Sequence, residues 1–173
     1  MTTLVTLAAA VGTANAWDPD EIEERDANAQ AVKAELLETK PKLQDYFDAA
    51  TGYVIIPTVG KGGIGIGGAR GKGLLYEGGE ITGEVTMTQL TIGFQWGGQA
   101  YSQLMFFEDD VAMAQFKKGN YELGAQASAV AVTAGASADA NFVNGIAIFT
   151  YAKGGLMYEA SVGGQKFKVE LKE

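Results

Sequence analysis

The chain has 173 residues, 47% hydrophobic and 20% charged, the composition of one folded domain with its own core. It contains no Cys and no His, which excludes disulfides, thiolate or imidazole metal sites, His-ligated haem, and Ser-His or Cys-His catalysis. A net charge of -8 argues against a general nucleic-acid binder, and the 24 Gly point to tight turns and close backbone packing.

Residues 1–16 (MTTLVTLAAAVGTANA) carry no charge. Leu4 to Val11 form a short apolar run, and Ala14-Asn15-Ala16 supplies the small-x-small pattern that signal peptidase cuts after. The reading is a signal peptide, although its n-region lacks Lys or Arg, with a mature start at Trp17. The run is too short to span a bilayer as a helix. The expected location is therefore exported, periplasmic or secreted, and peripheral to the membrane. Residues 17–173 are expected to form one domain, an arm over 17–51 and a β-rich core over 52–173.

Asp18-Pro19-Asp20-Glu21 starts a helix, with Asp18 as N-cap, Pro19 at the first helical position and Glu21 at the third. Ile22, Ala29, Val32 and Leu36 recur at helical spacing, and Pro41 closes the element. A shorter helix carries Leu43, Tyr46, Phe47 and Ala50, with Gly52 expected to stop it. Residues 17–48 hold ten acids and four bases, so this arm contributes -6 of the net charge.

Beyond Gly52 the hydrophobic period changes from helical to alternating. Tyr53 to Ile56 reads as a buried strand ended by Pro57. Alternation recurs through Leu90, Ile92, Phe94 and Trp96, then Ala147, Phe149 and Tyr151, then Phe167, Val169 and Leu171. Gly-Gly pairs at 62–63, 67–68, 78–79, 97–98, 154–155 and 163–164 sit at hairpin-like spacing. One helix interrupts the strands: Asp109 or Asp110 caps it, Val111, Ala112, Ala114 and Phe116 are its apolar positions, and Gly119 ends it. Residues 124–140 are rich in Ala, but the alternation through 125–132 favours a strand. The expected fold is α+β: a helical arm, then a mostly antiparallel, Gly-rich sheet or partly closed barrel with one inserted helix.

Gly63-x-Gly65-x-x-Gly68 matches the dinucleotide fingerprint in letters alone. The fingerprint needs a helix next, and Ala69-Arg70-Gly71-Lys72-Gly73 does not make one. No acid lies between Ala49 and Tyr76, whereas Lys61, Arg70 and Lys72 give a local +3. Lys61, Gly62, Gly63, Arg70, Gly71 and Lys72 are thus the candidate lipid-headgroup site, with cations and Gly backbone N–H groups meeting a phosphate. The bland alternative is three solvated cations. Glu108-Asp109-Asp110 lacks the spacing of a Ca²⁺ loop and reads as helix capping. No metal and no cofactor are implied.

Several short motifs resemble the SYLF domain, the lipid-binding module also known from yeast actin-patch proteins. They run in family order from about Ala34 to Gln165: Ala49 to Pro57, the Gly-rich Lys61-Gly62-Gly63 to Leu75, Ile92 to Gln99, Phe116 to Ser128, and Tyr151 to Leu156. The resemblance implies a non-enzymatic domain that binds anionic phospholipid or a membrane surface, in the bacterial envelope if the chain is an exported member. Eukaryotic members carry a basic N-terminal segment, used in fungi for actin filaments. Here the arm is acidic, so actin binding is not expected. An integral outer-membrane β-barrel and a carboxylate-dependent hydrolase are the alternatives from other classes.

Overall fold

The computed structural model describes residues 17–64, 66–94, 98–124, 142–152, 160–162 and 164–173. The signal-peptide reading of 1–16, the strand reading of 125–132 and the Gly pair at 154–155 lie outside them.

The arm forms as its local chemistry dictates. Helix α1 spans Pro19–Thr39, and the Asp18 side chain accepts the Asp20 backbone N–H at 3.0 Å, so one orphan donor of the first turn is satisfied. It buries Ala29, Val32 and Leu36. Helix α2, Leu43–Ala49, buries Leu43 and Phe47 and ends at Ala50, whose backbone turns extended. Gly52 is therefore not its stop but the first residue of the sheet.

The strands are β1 (Gly52–Ile64), β2 (Ile66–Glu77), β3 (Glu80–Phe94), β4 (Gly98–Phe107), β5 (Asn120–Leu123), β6 (Ile146–Ala152), β7 (Ala160–Val162) and β8 (Gln165–Leu171), with helix α3 (Asp110–Lys117) between β4 and β5. Every ladder among the described residues is antiparallel, in the order β5-β8-β3-β2-β1-β4-β6, with β7 also pairing β3. Pro57 does not end β1. The register shifts there against both neighbours, and the irregularity accommodates a residue that has no N–H to give the ladder. Gly78 and Gly79 do make a hairpin turn, with φ of 59° and 85° between the paired Glu77 and Glu80. Gly62 and Gly63 instead pair with Gly68 and Gly67 inside the ladder.

The sheet is curled. On a flat sheet β4 and β8, four strand positions apart, would be separated by ~19 Å. Yet the Gln103 side-chain amide on β4 donates to Gln165 Oε1 on β8 at 2.9 Å, and Gln165 Nε2 donates back at 3.1 Å. Phe116 of α3 likewise meets Phe107 of β4 at 4.9 Å and Phe167 of β8 at 5.7 Å between ring centroids. The result is a half-barrel with α3 packed into its inner face.

Two cores follow. The inner one holds Val54, Ile56, Leu75, Val85, Met87, Met105, Phe107 and Phe167 beneath Ala112, Met113 and Phe116. Asp109 caps α3 by accepting the Ala112 N–H at 2.8 Å, and Gly119, at φ 103°, ends it. Val111 and Ala114 face solvent, contrary to the sequence expectation, and Met113 takes the inward place. The outer core lies under α1 and α2 and holds Ile55, Leu74, Tyr76, Leu104, Phe106 and Phe149.

The helical arm covers only part of the outer face, and β2 records where it stops. From Ile66 to Lys72 exposed and buried residues alternate; from Gly73 to Tyr76 all are buried. The alternation is that of a strand with one wet face, and it ends where the arm lands.

Candidate functional site

The curled sheet divides the basic triad. Lys61 pairs across strands with Ala69, on the inner side with Val59, and is only 7% exposed. Arg70 and Lys72 occupy the opposite parity of β2 and point outward into solvent. Gly71 and Gly63 share the inner parity and Gly62 the outer one, so the six candidates split three and three. A Cβ on Gly71 would come within 2.7 Å of Ile56 Cγ2 and 2.8 Å of Val59 Cγ2, so this glycine serves strand packing at the register shift.

Inside, Lys61 belongs to a polar row. Lys61 pairs with Ala69, Ala69 with Gln89, and Gln89 with Gln165, which bonds Gln103 across the interior. Gln103 is wholly buried, and Thr150 pairs beside it on β6. These glutamines were not singled out from sequence. Their signal was parity: Gln89 follows Val85 and Met87, Gln103 lies between Tyr101 and Met105, and Gln165 precedes Phe167 and Val169.

Outside, Lys72 stands at the edge of the arm. Its Nζ is 3.2 Å from Glu84 Oε1, while Arg25 of α1 donates to Glu84 Oε2 at 2.6 Å, and Glu21 lies 3.6 Å from Arg25. Glu84 is a buried carboxylate, so the two cations satisfy it and pin α1 to β3. Tyr76 OH donates to Asp26 of α1 at 2.8 Å; burial first, then that carboxylate, pushes the phenol well above its ordinary value. Lys33 sits 4.2 Å above the Phe47 ring, and Trp17 Nε1 donates to the Leu171 carbonyl at 3.3 Å. An open groove of about 670 Å³ follows the contact, lined by Glu24, Asn28, Glu35, Thr58 and Lys72 among others.

Beyond Lys72 no described helix covers the outer face. Gly60, Gly62 and Gly68 leave a floor almost without side chains, and a Cβ on Gly60 would meet nothing within 4 Å. Arg70 has no ion-pair partner among the described residues. Such a surface suits a flat or extended partner with negative charge.

The fold and face define a class: a curled antiparallel sheet domain with a helical arm on part of its outer side and an open basic surface on the rest. Within it, residues 88–173, about half of the chain, match the family Ysc84, described as Las17-binding protein actin regulator. The chain belongs to this family, the SYLF family that the sequence motifs resemble. It is also similar to Beta cell expansion factor A of Aeromonas veronii, at 24% identity over 145 residues. That alignment covers 82% of this chain and 54% of the relative, so the chain spans about half of the relative's length.

Proposed function

We propose that this chain is a non-enzymatic lipid-binding domain that sits peripherally on anionic phospholipid at a bacterial envelope. The observation that carries the reading is the part of the outer face that no described helix covers, where exposed Arg70 and Lys72 flank the Gly60, Gly62 and Gly68 floor. The inner face supports surface contact rather than acyl-chain capture, because Met87, Phe107, Phe116 and Phe167 fill it beneath α3. Export rests on the Ala14-Asn15-Ala16 pattern and belongs to the same proposal.

Other readings find less support. No described helix is long and apolar enough to cross a membrane. An integral barrel needs an apolar outward band, whereas this outer face carries the arm, Arg70 and Lys72. Glu84, the buried acid a hydrolase would use, is held between two cations. For actin, the arm at -6 over residues 17–48 would meet an acidic filament with repulsion. Robust pelleting with filaments at low salt would reverse that judgement.

Flotation with vesicles tests the main reading. Binding is expected to phosphatidylglycerol or cardiolipin vesicles, to weaken with salt, and to be absent on phosphatidylcholine. Each cation at an anionic surface contributes about 1 kcal/mol, so the Arg70→Gln, Lys72→Gln double variant is expected to lose roughly 2 kcal/mol of association. Equal binding to neutral and anionic vesicles, or to neither, sinks the proposal.

A further inference from the structure

The ladder brings a second pair of cations to the first. Arg70 pairs with Thr88 on β3, and Thr88 pairs with Lys166 on β8; one row along, Lys72 pairs with Thr86 and Thr86 with Lys168. All four cations share the outer parity, about 10 Å apart across β3 and about 7 Å apart along each strand. Lys166 and Lys168 are 70% and 66% exposed. Carboxylates stand beside them: Glu122 is 3.0 Å from Lys166, Glu170 meets Lys168, and Glu84 meets Lys72. The Lys166 and Lys168 pairs are solvent-exposed and hold their lysines weakly, so those amines can turn to a competing phosphate.

Two exposed apolar side chains continue the same surface toward the strand tips. Leu90 follows Thr88 on β3, opposite Gly68, and Ile66 opens β2; their exposures are 64% and 66%. Proceeding along β2 and β3, the outer face therefore reads helix-covered, then cationic, then apolar. α3 stands at the other end of the sheet, beyond Phe107 of β4.

We infer that Arg70, Lys72, Lys166 and Lys168 form one headgroup-contacting plate, and that Ile66 and Leu90 lead the β2 and β3 tips into an anionic bilayer. The inference rests on the lipid-binding reading above and adds an orientation and four residues to it. Charge complementarity chooses the partner: the plate meets phosphates at the depth of the headgroups while the apolar tip passes just below them. An aqueous protein partner would give the graded cation-to-apolar order no such purpose.

The absence of Cys makes the test clean. Leu90→Cys, carrying an environment-sensitive fluorophore, is expected to shift to the blue and brighten on phosphatidylglycerol vesicles. Val111→Cys on α3, 65% exposed at the far end, is expected to stay unchanged with the same label. In the unlabelled chain, Lys166→Gln with Lys168→Gln is expected to weaken partitioning roughly 25-fold, about fivefold for each cation. Circular dichroism confirms that each variant folds. If wild type fails to bind anionic vesicles, the lipid-binding reading itself falls, and this orientation with it. If wild type binds but the Leu90 label stays in water, or the lysine variant partitions like wild type, the orientation is overturned while lipid binding stands. A Ile66→Ser, Leu90→Ser variant separates plate from tip. Loss of binding there, with the lysines intact, supports insertion, and unchanged binding overturns it.

Discussion

One sheet carries two outer surfaces, and the difference between them is the organising fact of this molecule. Under the arm, aromatic rings interlock: Phe106 touches Phe47 and Phe149 at 4.9 and 5.7 Å, and Tyr53 stacks on Tyr76 at 5.0 Å. Past Lys72 the described residues of β2 and β3 present glycine, threonine, a cation and, at the tips, Ile66 and Leu90 to water. The covered part supplies stability; the open part is the surface to which the proposed function assigns lipid contact. A residue's place along the strand, more than its type, decides which of the two it serves.

Substitutions should expose that division, the largest losses falling under the arm. Phe106→Ala removes a wholly buried ring and is expected to cost about 3–5 kcal/mol in denaturant unfolding, with vesicle binding retained by the folded fraction. Glu84→Ala strands Arg25 and loosens the arm. The expected cost is about 2–3 kcal/mol, less than for a fully buried pair because Lys72 remains half in solvent. Native-state hydrogen exchange should show the protection lost across α1 first; uniform loss over the whole sheet would mean the arm and sheet open together.

Glycine offers a sharper contrast. A Cβ at Gly73 would lie 2.3 Å from the Ile55 carbonyl oxygen, so Gly73→Ala is expected to destabilise by about 1–3 kcal/mol. Gly60→Ala meets open space and is expected to change stability by no more than about 0.5 kcal/mol. Comparable thermal shifts for the two would mean that packed and open glycines of this sheet do not differ.

The smallest effect concerns pH. Burial alone would raise the Glu77 carboxyl, but Lys117, 2.9 Å from both its oxygens, together with the Thr82 side chain holds it below its ordinary value. A depressed carboxylate stabilises above its unfolded pKa, and that contribution is lost as pH falls through the folded value. Tying the β2 end to α3, the pair is expected to contribute about 0.5–1 kcal/mol near neutrality. Glu77→Gln should therefore lower Tm at pH 7 and leave it nearly unchanged well below the folded pKa. A difference that persists there would assign the loss to packing.

Much of this was legible in the chain. Asp18, Pro19 and Asp109 announce helix starts that the structure keeps, because capping is a contact between near neighbours. Gly78-Gly79 announces a real turn for the same reason. Pro57 reads as a strand end and Gly62-Gly63 as a turn, and the structure makes neither of them so, since a long antiparallel ladder absorbs local breakers through a register shift and through glycine-to-glycine pairing. In the candidate site, Arg70 and Lys72 were found from their acid-free surroundings. That Lys61 turns away from them follows from alternation along β1 and β2 once their pairing is known.

Periodicity, caps and composition determined the α+β class, the acidic arm, the exclusion of Cys and His chemistry, and the family motifs. These are properties of residues within a few positions of one another. Tertiary structure decided which cations are neighbours, which glycines lie bare, and that Gln103 reaches Gln165 across the interior. Lys166 and Lys168 were visible as the polar members of an alternating strand, but only the β2-β3-β8 register sets them beside Arg70 and Lys72. Strand register depends on which distant segments pair, and sheet curl on how the two cores fill; neither is encoded in the spacing of any one segment.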